Sequence, residues 1–260
     1  MTEDFSRYNG KGTMLHKAQM RMLDILVEID KICKKHHIEY WLQAGTVIGA
    51  VCWGGFIPWD DDLDIALMRK DYKRLRKILK KELPDNMVFQ DETTEKYYPL
   101  KFAKVRDKKS VIYDYDYNPK VKEQGLYVDI FPMERGSVKI KRIVEFFYGR
   151  AFRRLRHMGT KTEYFIACLM WIPSVLLMQT ARTLSFLTNK DSLIDTYGNS
   201  CYHKYSKKHI LPTKPILFEG REFNGPANPD AYLRDKYGRY EKYIPVEERG
   251  AHSTGIEIYE

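Results

Sequence analysis

Gly55-Phe56-Ile57-Pro58-Trp59-Asp60-Asp61-Asp62-Leu63-Asp64-Ile65-Ala66-Leu67 sets four carboxylates in five positions among aromatic and apolar neighbours. Carboxylates this close repel one another, and apolar surroundings solvate them poorly; a cation among them removes both penalties. The alternation from Leu63 to Met68 predicts a strand, in which Asp62 and Asp64 point to one face. Two carboxylates on one face can grip one or two hard cations, Mg²⁺ or Mn²⁺, and leave coordination positions for substrate phosphates. The plain alternative is a solvated acidic turn. Such turns are rarely wrapped in Phe, Ile, Trp and Leu.

Working outward, Gly45-Thr46 lies upstream, between a short strand expected over Ile38–Leu42 and the small-residue helical run Val47-Ile48-Gly49-Ala50-Val51. A Gly there lets backbone approach a phosphate, and a Thr hydroxyl beside a helix start can hold its oxygens. Alone, the pair does no more than cap a helix. Combined with Asp62-x-Asp64, it resembles the pattern of the nucleotidyltransferase superfamily that includes polymerase β. That pattern asks for a third carboxylate on a neighbouring strand. Asp129, in Tyr127-Val128-Asp129-Ile130-Phe131-Pro132, sits alone in an apolar strand, a costly place without a cation or donors. It is a candidate ligand or base.

The longer run Ala44–Leu67 resembles the LicD family, to which the fukutin-type enzymes are also similar. Later stretches agree in order: Lys104-Val105-Arg106-Asp107-Lys108, Val128–Pro132, and Tyr232-Leu233-Arg234-Asp235-Lys236-Tyr237-Gly238 followed by Pro245. One departure is Val51-Cys52-Trp53, where family members often carry Arg or Lys. The resemblance implies transfer of a phosphorylated alcohol from a CDP-linked donor to a glycan hydroxyl, with release of CMP. It implies Asp62, Asp64 and Asp129 as catalytic and metal-holding residues. It implies Gly45, Thr46, Lys104, Arg106 and His252 on the donor side. CDP-choline is the favoured donor, and the acceptor is a lipopolysaccharide or teichoic acid precursor. Choline is best held by aromatic faces; Trp53, Trp59, Tyr97, Tyr98, Tyr113, Tyr115 and Tyr117 supply candidates. CDP-glycerol or CDP-ribitol is the alternative donor.

The rest of the chain sets the frame. Residues 14–35 carry apolar side chains at three- and four-residue steps and predict a helix. Residues 71–83 predict a basic helix ending at Pro84, and further strands are expected at 88–90, 100–105, 111–113 and 126–131. Helices mixed with short strands, without a regular βαβ repeat, give an α+β class: a nucleotidyltransferase-like mixed sheet flanked by helices, with a mainly helical insertion. The expected division is 1–135 for the catalytic core, 136–214 for a basic and apolar insertion, and 215–260 for a C-terminal segment closing over the core. There Phe218–Phe223 alternates as a hairpin would, and Tyr232–Tyr240 reads as a short helix.

Across 260 residues, 44 Lys and Arg face 35 Asp and Glu, a formal charge of +9. The basic charge is concentrated in residues 69–81 and 139–161, each with eight cations against one acid. Residues 164–178 then run fifteen positions without a charge, interrupted by Pro173. Beside the basic run, this is either a core helix or a segment lying in a membrane interface. Four scattered cysteines argue against a disulfide scaffold or a zinc ribbon. No signal peptide is visible, so the expected location is the cytoplasm, at the inner face of a bacterial membrane. The basic charge also raises a nucleic-acid enzyme, but no RNA-recognition or zinc-finger motif accompanies it. A non-catalytic scaffold leaves the three aspartates unexplained.

Overall fold

The apolar period of residues 14–35 winds a helix with Met22, Ile25, Leu26 and Ile29 fully buried, and Thr13 caps it by accepting from the His16 N–H at 3.2 Å. This computed structural model describes residues 4–114, 117–156, 160–241 and 244–259. In chain order, a short α1 (Ser6–Asn9) precedes that long helix, α2 (Met14–Lys35). Then come β1 (Trp41–Leu42), α3 (Ala44–Trp53), β2 (Asp64–Met68), α4 (Arg69–Glu82), β3 (Met87–Gln90), β4 (Ala103–Asp107), β5 (Ser110–Asp114) and β6 (Tyr127–Arg135). A helical stretch follows as α5 (Val138–Val144), a π turn (Glu145–Gly149), α6 (Arg150–Arg156) and α7 (Lys161–Thr188). The chain finishes with β7 (Ser192–Asp195), β8 (Lys204–Ser206), α8 (Lys207–Ile210), β9 (Lys214–Phe218), β10 (Arg221–Gly225), α9 (Pro229–Tyr237) and β11 (Ser253–Ile258).

The α+β class expected from the sequence is what forms. The main sheet is mixed and runs β1-β2-β6-β4-β3, with β7 on the far half of β6 and β8 beyond it. β2 and β6 are parallel, whereas β4 and β7 run antiparallel to β6. β6 is long enough, at nine residues, to pair with β4 through its first half and β7 through its last. Ile65, Leu67, Val128 and Ile130, on one face of the two parallel strands, are buried in the main core with residues of α2 and α4.

Several boundaries move for physical reasons. β2 begins at Asp64, so Asp62 lies in the preceding loop rather than in the strand. The stretch 136–214 is not helical throughout: after Thr188, Ser192–Asp195 and Lys204–Ser206 return to the main sheet before the short α8. Pro173 does not interrupt the apolar run, which sits inside the 28 residues of α7. A capping box at Thr160 and Glu163 starts that helix well before the apolar residues. Part of the basic run 139–161 is structural: buried Lys141 donates to the Asp195 carbonyl at 2.9 Å and to Asn199 at 2.7 Å, and Arg153 pairs with buried Glu145 at 2.7 Å.

The C-terminal segment makes its contacts with the stretch from Gln43 to Asp61. β9 and β10 form a hairpin whose turn, Glu219-Gly220, falls inside the quoted run Phe218–Phe223. Glu219 accepts from the Phe56 N–H at 2.9 Å and donates its own N–H to the Gly54 carbonyl at 2.9 Å. A Cβ at Gly55 would lie 1.9 Å from Glu219 Oε1, so a side chain there would displace this carboxylate from the Phe56 N–H. From α9, the buried Tyr232 hydroxyl accepts from the Ala44 N–H at 3.0 Å and donates to Gln43 at 2.8 Å. That clamp fixes the start of α3. Tyr232→Phe should cost about 1–2 kcal/mol in urea denaturation, since the buried Ala44 N–H loses its acceptor and Gln43 keeps only the Trp41 indole N–H.

Candidate active site

Asp64 opens β2, and the parallel register sets it directly beside Asp129 on β6. The Asp129 N–H donates to the Leu63 carbonyl at 2.9 Å, which locks that register. Lys104 stands opposite Asp129 on β4, with its Nζ 2.8 Å from Asp129 Oδ1 and 3.3 Å from the centre of the Tyr127 ring. Its ammonium is buried, so the carboxylate and the ring face stand in for water. Thr46, in the first turn of α3, accepts from the Asp64 N–H at 2.8 Å and holds the start of β2 against that helix. Ala44 just ahead of it sits at φ +51°, a left-handed conformation costly for alanine. Gly45 leaves room for Asp60, whose Oδ2 would be 3.1 Å from a Cβ at that position.

The loop before β2 divides its aspartates by task. Asp61 is fully buried and accepts from the N–H groups of His252 and Ser253 at 2.7 and 2.8 Å, and from the Ser253 hydroxyl. It therefore ties the start of β11 to the acidic loop. This latch brings His252 Nε2 to 3.6 Å from both Asp60 Oδ1 and Asp62 Oδ2, while the ring stays half exposed. Asp60, Asp61 and His252 also bring ligand atoms within 4.8 Å of one another. Asp61 is already engaged by three donors, so little of its carboxylate is left for another ligand.

Burial dominates the electrostatics. It pushes Asp60 and Asp64 well above the usual carboxylate range, and neighbouring aspartates push them further. Asp62 is raised by burial and drawn back by His252. Asp129 is pushed up to about 6 by burial in spite of Lys104 beside it. Three facing carboxylates with one paired lysine are under-neutralised, and they fit the oxygen donor set of a hard divalent cation.

Of the residues singled out in the sequence, the structure brings together Gly45, Thr46, Asp62, Asp64, Lys104, Asp129 and His252. Arg106 lies two residues along β4 from Lys104, where it donates to Gln90 and to the Gly125 carbonyl, each at 2.6 Å. Sequence reasoning missed Lys236, whose charge acts on Asp64, and Tyr237, which feels Asp64, Asp62 and Asp60. Both sit in the run Tyr232–Gly238, noticed only as a family resemblance. Among the aromatic candidates, Trp53 and Trp59 meet at 5.9 Å and gather Phe5 and Tyr8 around them. Arg249 lies over Trp59 at 4.7 Å and over Phe5 at 5.4 Å. Tyr113 packs instead on Tyr117 at 5.0 Å, Tyr97 faces Lys96 and Lys120, Tyr98 is buried, and Tyr115 lies outside the described residues.

Residues 37–158 match the family described as LicD/FKTN/FKRP, nucleotidyltransferase domain. The lipopolysaccharide cholinephosphotransferase LicD of Haemophilus influenzae is 26% identical over 262 residues, spanning 93% of this chain and 97% of that protein. An uncharacterized protein of Rickettsia prowazekii is 35% identical over 77 residues, 30% of this chain and 27% of its own length. Asp62, Asp64, Lys104 and Asp129 all fall inside the matched domain, whereas Lys236, Arg249 and His252 lie beyond it.

Two outcomes follow from the charge arrangement. Carboxylates whose folded pKa is raised contribute stability that is complete below their unfolded pKa near 4 and is lost as pH rises through the folded value. For Asp129 that window runs from about 4 to about 6, and for Asp60 and Asp64 it extends higher. The melting temperature of metal-free protein should therefore gain from this cluster at low pH, and Asp64→Asn should melt higher than wild type near neutral pH. Separately, Asp61→Ala should cost about 2–3 kcal/mol, because several buried donors lose a charged acceptor. Hydrogen exchange should then quicken at residues 252–258.

Proposed function

We propose, from the premise that residues 37–158 are a LicD-family nucleotidyltransferase domain in a LicD-type phosphotransferase, that this chain moves phosphocholine from CDP-choline to a glycan hydroxyl and releases CMP. The acceptor is a lipopolysaccharide or teichoic acid precursor presented at the inner face of a bacterial membrane. The observation that carries the reading is the under-neutralised set of Asp64 and Asp129, side by side on two parallel strands, with Asp62 in the loop that leads into the first of them, within a chain that covers nearly all of a cholinephosphotransferase.

Asp62, Asp64 and Asp129 are the residues to hold Mg²⁺ or Mn²⁺. Such a cation, when bound, supplies charge neutralisation at the donor's pyrophosphate. The remaining work belongs to the chain itself. Lys104 keeps Asp129 ionised and in place. Thr46 fixes the strand start that carries Asp64, and Gly45 with the first turn of α3 gives phosphate a close approach to backbone N–H groups. His252 and Lys236 add cationic character at the open side, where the leaving CMP gathers negative charge. The acceptor oxygen forms a bond to the distal phosphorus as the bond from that phosphorus to CMP breaks, and the hydroxyl proton passes to a carboxylate of the cluster. Positioning and charge stabilisation account for most of the rate in such a transfer.

The aromatic group around Trp59 favours choline over a polyol. A guanidinium already rests on Trp59, and a trimethylammonium is drawn to the same kind of face. CMP release should be fastest with CDP-choline in a panel containing CDP-glycerol and CDP-ribitol, and EDTA should abolish it. Asp64→Asn should remove turnover while the protein stays folded. Trp59→Ala should raise KM for CDP-choline about tenfold with less effect on CDP-glycerol. Equal rates across the panel would overturn the choline assignment, and full turnover in EDTA would overturn the metal.

A further inference from the structure

α7 has two unlike faces. Ala167, Ser174, Met178, Ala181 and Ser185 are buried, and Met178 and Ala181 cluster with Val144, Tyr148, Ile194 and Tyr197. Arg182 on the same side is held by Glu134 of β6 at 2.7 Å. The helix is therefore fastened to the catalytic domain from its second turn to its last, and it lies along the domain over about 42 Å. Its opposite face carries Phe165 and Leu169, each 63% exposed, Ile172 at 69% and Leu176 at 62%, spaced by four, three and four residues. Phe186 and Leu187 continue the exposure to the C-terminal end, and Ile143, Phe146 and Phe147 extend it sideways. A helix of this length and hydropathy is long enough to cross a bilayer. Burial of Ala167, Ser174, Met178, Ala181 and Ser185 along one side, with the other side left outward, is the arrangement of a helix lying in the interface plane.

Cations border this face. Arg150 stacks on exposed Phe146 at 3.9 Å, and Arg135 stacks on exposed Phe186 at 4.9 Å. At the C-terminal end of α7 opens a cavity of about 730 Å³ between that helix, the start of α4 and the far ends of β2 and β6. Its lining includes Arg69, Lys70, Lys73, Arg135 and Arg182 beside apolar Met68 and Phe186. Two carboxylates also face it, and both are engaged: Glu134 by Arg182, and Asp71 by Arg74 at 2.9 Å. Lys73 stands among Arg69, Arg182 and Arg76, whose charges hold its ammonium below the ordinary range. A cationic hollow next to exposed Phe, Leu and Ile matches a phosphate that carries acyl chains.

We infer that α7 is an in-plane membrane anchor: its Phe165–Leu169–Ile172–Leu176 stripe enters the interfacial layer of an anionic bilayer, and the Arg69–Lys73–Arg135–Arg182 cavity takes the phosphate of a phospholipid headgroup. This surface is distinct from the carboxylate centre, which lies four residue steps, about 13 Å, along β2 from Met68. It gives the membrane location in the proposed function a physical basis without depending on the identity of the donor. The geometry holds the transfer site a short distance above the membrane, within reach of a glycan extending from it.

Flotation of the full chain with phosphatidylcholine vesicles, with and without phosphatidylglycerol, tests the inference in the absence of any nucleotide donor. Wild type should float with the anionic vesicles and bind the zwitterionic ones about tenfold more weakly. Leu169→Gln with Ile172→Gln, both on exposed positions, should lose binding to each kind of vesicle. Lys73→Gln with Arg135→Gln should lose the preference for phosphatidylglycerol. Both pairs should keep the wild-type melting temperature and the wild-type rate of CMP release, which separates this surface from the reading of the active site. Three results would overturn the anchor: wild type that ignores anionic vesicles, variants that float as well as wild type, or a concentration-dependent dimer abolished by the Leu169 and Ile172 changes without vesicle binding. Inorganic phosphate that displaces the protein from vesicles at low concentration would reassign the cavity to a free phosphate ligand.

Discussion

Like charge kept away from water is the constraint on which this protein is organised. Asp60, Asp62, Asp64 and Asp129 share one poorly solvated corner, each pushed towards protonation first by burial and then by at least one neighbouring aspartate. The parallel pairing of β2 and β6 makes that proximity unavoidable, because it fixes Asp64 and Asp129 side by side. The rest of the neighbourhood offsets the repulsion. Lys104 reaches across from β4, His252 is drawn in by Asp61, and Lys236 approaches from α9. Two lysines and a half-exposed histidine among four carboxylates leave the corner short of positive charge. A folded protein tolerates such a deficit where a bound ion removes it.

The C-terminal segment belongs to this arrangement rather than to a separate unit. Its hairpin turn meets Gly54 and Phe56, its helix clamps Gln43 and Ala44, and its last strand is tethered by Asp61. Each contact bears on the stretch from Gln43 to Asp61 that leads into β2. The opposite ends of β2 and β6 show the reverse polarity, with cations gathered around Met68 and Met133. A single parallel strand pair thus separates an acidic cluster at one end from a basic surface at the other.

Much of this was legible in the chain, and the rest was hidden for definable reasons. The period of residues 14–35 gave α2 at its true bounds, because one apolar face of a long helix leaves a clear pattern. Asp129 stood out because a lone carboxylate in an apolar strand needs a partner. The alternation argument for Asp62 and Asp64 located both, although Asp62 precedes the strand and is brought to the cluster by the loop. β7 and β8 were invisible: four and three residues, paired only through tertiary contact, are too short for a period. The task of Asp61 was equally hidden, since its partners are backbone N–H groups 191 and 192 residues away. Arg106 looked like the equal of Lys104 by spacing, yet local acceptors at Gln90 and Gly125 engage it. Long-range pairing decides such assignments, and spacing alone does not carry it.

The central claim is that the carboxylates on the two parallel strands together hold a divalent cation. Anomalous diffraction from crystals of the protein grown with Mn²⁺ tests it most directly. The expected result is a strong anomalous peak bounded by Asp62, Asp64 and Asp129, absent in Asp64→Asn crystals. A peak bounded instead by Asp60, Asp61 and His252, or none at saturating Mn²⁺, would contradict the claim.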